Sequence, residues 1–185
     1  MVSVKTTHFA PKDAQNFRKT SDECKTIRVN VELDKTDIVL LSELQIDAAQ
    51  TQAELGKKIG LSTTAVNRRI RRLTQSGVIE KTTSALNQTL LGRPLTVIAN
   101  VEVVSEQLDE IDKLESIFSA RTEIQQCYYV TGEWDFVLVI LVRDMAEYDH
   151  LTKELFFNSA NVKRFKSLVV MRRTKVGLTV PLGPL

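Results

Sequence analysis

The chain has 185 residues, of which 43% are hydrophobic and 26% charged, and its formal net charge is +2. Those values describe a soluble globular protein of one or two domains. They exclude a membrane-spanning protein, because no apolar run reaches the roughly 18 residues needed to cross a bilayer. The first thirty residues lack the apolar core of a secretory signal, so a cytoplasmic location without membrane partners is expected. Cys24 and Cys127 are too few and too far apart for a disulfide framework and form no metal-binding pair. The small net charge hides an asymmetry. Residues 1–82 hold 14 Lys+Arg against 10 Asp+Glu, and residues 83–185 hold 11 against 13. A basic front part suits contact with a polyanion, and the back part must do something else.

Residues 1–32 are polar and are expected to form a flexible arm, although the alternating TIRVNV at 26–31 could pair as a strand. A helix is predicted from LDKTDIVLLSEL, with Asp34 as N-cap, Asp37 at N3 and Leu33 stapling onto Ile38. Its expected apolar face is Ile38, Leu41 and Leu44. A second helix opens at Thr51, where Glu54 completes a capping box. Gly60 supplies a tight turn, Ser62 caps a third helix and Gly77 ends it. Helix, helix, short glycine turn and helix make a helix-turn-helix over residues 33–82.

The third helix, LSTTAVNRRIRRL, carries four arginines in five positions. At about 100° per residue, Val66, Ile70 and Leu73 share one face. Thr64, Asn67, Arg68, Arg71 and Arg72 lie opposite, and Arg69 flanks the core. No acidic residue lies three or four positions away, so Arg68, Arg71 and Arg72 of the open face are expected to be unpaired. In this position of the motif, the anion that relieves their repulsion is DNA. Ser62, Thr63, Thr64, Asn67, Arg68, Arg71 and Arg72 are therefore the candidate DNA-binding residues. A solvated surface of the same composition is the plainer alternative.

VIEKTTSAL reads as a strand leaving the winged motif, and residues 83–93 as a turn-rich linker. From residue 94 to 180 the pattern alternates. LTVIANVEVV is a strand, and SEQLDEIDKLESIFS is a helix with Leu108, Ile111, Leu114 and Phe118 aligned. EIQQCYYVTG and DFVLVILV are strands on either side of Gly132. A helix from Met145 to Phe157, aligning Met145, Tyr148, Leu151 and Leu155, precedes the strand VKRFKSLVVMRR. The order βαββαβ predicts a ferredoxin-like unit, so the fold class is α+β, and residues 181–185 are left as a tail. Both faces of FVLVILV are apolar, yet helices cover only one. A second copy of the sheet is the economical cover, which predicts a homodimer.

Taken together, LDKTDIVLLSELQIDA, LSTTAVNRRIRRL followed by SGVIE, the ALN-x-x-x-LG connection and VTGEWDFVLVILVRDM resemble the Lrp/AsnC (feast/famine) family of transcriptional regulators. The resemblance spans about residues 33–180. It implies a winged helix-turn-helix that binds double-stranded DNA, joined to a ligand-sensing domain that dimerises and assembles further into tetramers or octamers. It also implies a small effector, commonly an amino acid, bound between sensing domains. The positions matching the effector region are Tyr129, Gly132, Glu133, Asp135, Met145 and Leu168, Val169 and Val170. A zwitterion needs a carboxylate for its ammonium and N–H groups for its carboxylate, and Asp135 beside Gly132 can supply both. Asp135 could instead simply hold the turn. Glu133 and Trp134 depart from the family's usual Asp and Phe/Tyr, and the arm is longer than the family requires.

Two other functions are open to this architecture. Haem-pathway decarboxylases share it, but they use histidines, and here only His8 and His150 occur. No catalytic set, metal spacing or phosphate loop is visible, so neither an enzyme nor a cofactor is expected. A sensing module with a vestigial DNA domain is the other alternative, and the arginines argue against it.

Overall fold

The computed structural model describes residues 31–183, which divide into two compact units. One runs to Thr82 and takes in the chain end from Val180; the other is Thr83–Thr179. The expected arm and the TIRVNV segment fall almost wholly outside the described residues.

Among the described residues the first unit contains three helices: α1 (Lys35–Ile46), α2 (Gln52–Ile59) and α3 (Thr63–Gln75). Each begins at a side-chain cap. Asp34 Oδ1 accepts from the Asp37 N–H at 2.8 Å while Asp37 Oδ2 accepts from the Asp34 N–H at 3.1 Å. Thr51 and Glu54 make the same reciprocal pair at α2, and Ser62 Oγ accepts from the Ala65 N–H at α3. These bonds satisfy amides that a helix start leaves without partners. Gly60 adopts φ 71°, the left-handed geometry needed to turn from α2 into α3. Gly56, one turn earlier, sits against that turn. A Cβ there would lie 2.4 Å from the Leu61 carbonyl oxygen, so only glycine admits this approach.

Leu40, Leu41, Leu55, Val66 and Leu73 form the core of this unit. Burying each such side chain stabilises by about 1.5 to 3 kcal/mol. Leu40 is fully buried and Ile38 only partly, so the inner face of α1 lies closer to Leu40–Leu41–Leu44 than to the predicted Ile38–Leu41–Leu44. Leu182, in the segment read from sequence as a tail, packs on this core. The Gln45 side chain holds Val180 at both backbone groups: Oε1 accepts from Val180 N–H at 2.7 Å and Nε2 donates to its carbonyl at 3.2 Å. The expected strand over VIEKTTSAL is not formed. Val78 and Ile79 turn inward, the Ile79 N–H bonds to Leu73 O, and no described strand lies alongside to complete a ladder.

The second unit is a βαββαβ fold: β1 (Leu95–Val103), α4 (Leu108–Ser119), β2 (Ile124–Tyr129), β3 (Phe136–Val142), α5 (Met145–Thr152) and β4 (Val162–Val169). The sheet order is β2–β3–β1–β4, antiparallel throughout. Before it, the predicted linker is an ordered turn, in which Asn87 Oδ1 accepts from two amides and the buried Gln88 donates to Thr96 Oγ1 at 3.0 Å. β4 is shorter than predicted because its partner runs out: Val170 N–H bonds to Thr96 O, and β1 starts just after Pro94, which has no N–H.

Helices α4 and α5 cover one face. Ile111, Leu114 and Phe118 from α4, with Tyr148 and Leu151 from α5, pack on Val97, Ala99, Val101, Phe136, Leu138 and Ile140. α5 passes into a π-helical turn at Lys153–Phe157, whose wider winding brings both Leu155 and Phe156 into the core. Leu108 and Met145, expected on the inner faces, are exposed; each is the first residue of its helix. On the other face Ile98, Val137, Val139 and Leu141 are only partly covered, with Leu168 exposed opposite Ile98.

Candidate nucleic-acid and effector sites

Helix α3 separates its two faces as its spacing requires. Val66 and Leu73 are fully buried, while Ser62, Thr63, Thr64, Asn67, Arg68, Arg71 and Arg72 are exposed. Ser62 already uses its hydroxyl as the cap. The four arginines fall into two pairs. Arg69 Nη1 donates to Asp34 Oδ2 and Asp37 Oδ1, each at 2.7 Å, and Arg72 Nη2 bonds to Asp37 Oδ2. The expectation that Arg72 lacks a partner is therefore corrected. Its carboxylate comes from α1, some 35 residues away in sequence, beyond any test of helical spacing. Arg68 and Arg71 have no carboxylate within ion-pair distance among the described residues.

Asp37 is the residue that sequence reasoning undervalued. It serves as a capping residue, as predicted, but its side chain is also fully buried between two guanidinium groups. Burial alone would push its carboxyl pKa up. The Asp34 amide and the Arg69 and Arg72 guanidiniums outweigh that and hold it below the usual carboxylate range. Asp34 is likewise held low, first by Arg69. An acidic residue at N3 signals a cap; its second role needs the third helix to be in place.

The candidate effector residues form two groups within one chain. Gly132 (φ 132°) and Glu133 lie in the turn between β2 and β3, with Tyr129 opposite Phe136 at its base. Asp135 Oδ2 accepts from the Val103 N–H at 2.7 Å, and the Asp135 N–H donates to Val101 O. The carboxylate thus ties the turn to the end of β1. Glu133 lies 3.3 Å from Arg164, whose guanidinium stacks over Trp134 at 4.7 Å and also pairs with Glu102. Met145 follows the far end of β3, and Val170 bonds at Thr96, which pairs with Leu141. Seven residues of β3 at about 3.3 Å each separate the two ends. The fold brings Tyr129, Gly132, Glu133 and Asp135 together, and Met145 with Leu168, Val169 and Val170 toward the other end. It does not bring the two groups into one cavity.

This arrangement can be set beside known proteins. Residues 33–80 match a winged helix-turn-helix DNA-binding domain, and residues 96–180 match the Lrp/AsnC ligand binding domain. The leucine-responsive regulatory protein of Haemophilus influenzae is 36% identical over 146 residues, covering 79% of this chain and 88% of the relative. The chain belongs to the Lrp/AsnC family. An HTH-type transcriptional regulator of Sinorhizobium fredii is 40% identical over 152 residues, covering 82% of this chain and 90% of that protein. Among solved structures, an AsnC family regulator from Agrobacterium tumefaciens superposes with a TM-score of 0.77 at 28% identity, over 81% of this chain and 97% of that one. A regulator from Neisseria meningitidis, solved as an L-Met complex, also has a TM-score of 0.77, at 25% identity, over 82% and 97% of the two chains.

An Lrp/AsnC protein is a transcriptional regulator with a DNA-binding domain and a ligand-binding domain, and the enzyme alternative is set aside. His150 is a surface residue whose Nε2 lies 3.0 Å from Glu154. Among the described residues no helix is long and apolar enough to cross a membrane.

Proposed function

We propose that this Lrp/AsnC regulator binds operator DNA through α3 and that an amino acid with an apolar side chain alters its assembly or its DNA affinity. Asn67 and Arg68 read base edges, while Arg71 and the exposed part of Arg72 contact phosphates. The observation that carries the DNA reading is the division among the arginines. Arg69 and Arg72 are paired with Asp34 and Asp37, whereas Arg68 and Arg71 stand exposed with Asn67 and no carboxylate within ion-pair distance among the described residues.

The effector site is completed between copies of the chain. Two observations support this: the candidate residues lie toward opposite ends of the sheet, and the sheet face bearing Ile98, Val137, Val139 and Leu141 is left without helices. A homodimer or larger assembly covers that face and can bring the turn of one copy to the Met145–Leu168 end of another. The L-Met complex of the Neisseria meningitidis relative supports an amino acid as the ligand class. Met145, Tyr129 and Leu168 would supply apolar walls, which favours an apolar side chain.

Calorimetry against the twenty amino acids, followed by operator titrations at saturation, tests the reading. Binding with a coupling of about 1 to 3 kcal/mol changes operator affinity roughly 5- to 150-fold. No binding by any of them rejects the amino-acid effector. No retention of genomic fragments by the protein rejects the DNA reading and leaves the interaction module.

A further inference from the structure

The acidic back half of the chain conceals a basic end. Residues 83–161 hold five Lys+Arg against 13 Asp+Glu, whereas residues 162–185 hold six Lys+Arg and no acidic residue. Two of those six, Lys163 and Arg164, are paired with Glu102, and Arg164 also with Glu133. Arg172, Arg173 and Lys175 follow β4 in irregular backbone, are exposed, and have no carboxylate within ion-pair distance among the described residues. Three neighbouring exposed cations without a paired carboxylate raise the local positive potential and attract an external polyanion.

Where the chain goes next selects the anion. Five residues after Lys175, Val180 is held at both backbone groups by Gln45 of α1, and Leu182 enters the helix-turn-helix core. At no more than about 3.6 Å per residue, Lys175 lies within roughly 18 Å of that anchor and Arg172 within roughly 29 Å. The cations are thus leashed to the unit that carries α3, and a duplex offers a phosphate about every 1.7 Å of its axis. We infer that Arg172, Arg173 and Lys175 form a second, sequence-independent DNA-contacting element that adds phosphate contacts to those of α3. The inference rests on the DNA-binding reading of α3.

The test measures binding of the full-length protein to a fluorescent mixed-sequence duplex of about 60 base pairs between 50 and 200 mM salt. With each phosphate contact contributing about 0.9 to the slope of log affinity against log salt, R172A/R173A/K175A is expected to lower that slope by about 2 to 3. At 0.1 M salt its affinity should fall on the order of 100-fold. The charge-preserving R172K/R173K should retain the wild-type slope. An unchanged slope in the triple alanine variant overturns the inference, and so does an equal loss in R172K/R173K, which would make these residues structural. R68A/R71A separates the two readings. If it loses binding while the triple variant does not, only the tail element fails; if the wild-type protein binds no duplex at all, both fail.

Discussion

The guanidinium of Arg72, on α3, bonds to the fully buried carboxylate of Asp37 on α1. Arg69 takes the other oxygen of the same carboxylate at 2.7 Å. Asp37, with Asp34, therefore ties the first helix to the third and leaves two of the four arginines unpaired among the described residues. Those two, Arg68 and Arg71, are then presented on a helix whose rotation is set by an ion pair as well as by Val66 and Leu73.

Asp37→Asn should destabilise the helix-turn-helix unit by about 3 kcal/mol, the low end for breaking a buried pair, because Arg72 is half exposed. The folded carboxyl has a pKa below its unfolded value of about 3.9. Its stabilisation is therefore complete above that value and lost as the pH falls through the lower folded pKa. Urea unfolding of both proteins from pH 7 to pH 2.5 should show the gap closing below about pH 4. A gap that persists unchanged at the acid end would mean that Asn disturbs packing rather than charge.

Arg68→Ala should cost about 1 to 3 kcal/mol on an operator and relax sequence preference. Arg71→Ala should instead weaken all sequences alike and reduce the salt slope by about 1. Arg72→Ala, unlike either, should also lower thermal stability, since it leaves Asp37 with a single guanidinium. Anisotropy titrations on operator and scrambled duplexes, with melting curves alongside, separate the three. Identical loss of preference from the first two changes would refute the division of labour.

Val139→Asp should break the assembly of the full-length protein. Val139 lies at the centre of the uncovered face, paired with Ile98 and adjacent to Gln126. A charge placed in a desolvated interface there costs several kcal/mol. Sedimentation should then show monomers that keep the wild-type circular dichroism. A wild-type protein that is already monomeric would remove the reason for a two-sided apolar strand.

Asp135 requires two variants, because its carboxylate also bonds the Val103 amide. Asp135→Ala loses that bond and should lower stability by about 1 to 3 kcal/mol as well as the effector response. Asp135→Asn keeps an acceptor for Val103 while removing the charge an ammonium would need. It should retain stability and still lose amino-acid binding by calorimetry. Full binding by the Asn variant would place the ammonium elsewhere.

Local chemistry is what the sequence determined. The caps at Asp34, Thr51 and Ser62 and the turn at Gly60 follow from interactions within a few residues and are present where the pattern puts them, as are the four strands of the second unit, β4 in shortened form. The two faces of α3 follow equally from its period, as does the βαββαβ order from the spacing of its elements. Tertiary structure decided matters that depend on partners distant in sequence. Arg72 is paired because α1 brings a carboxylate from 35 positions away, and Gly56 is required because the α2–α3 turn passes within contact of it. β4 stops where β1 has no further amide to offer, and the chain end joins the first unit because Gln45 and the apolar core receive Val180 and Leu182. Periodicity records which face of an element is apolar; which atoms meet that face is set only when the elements pack.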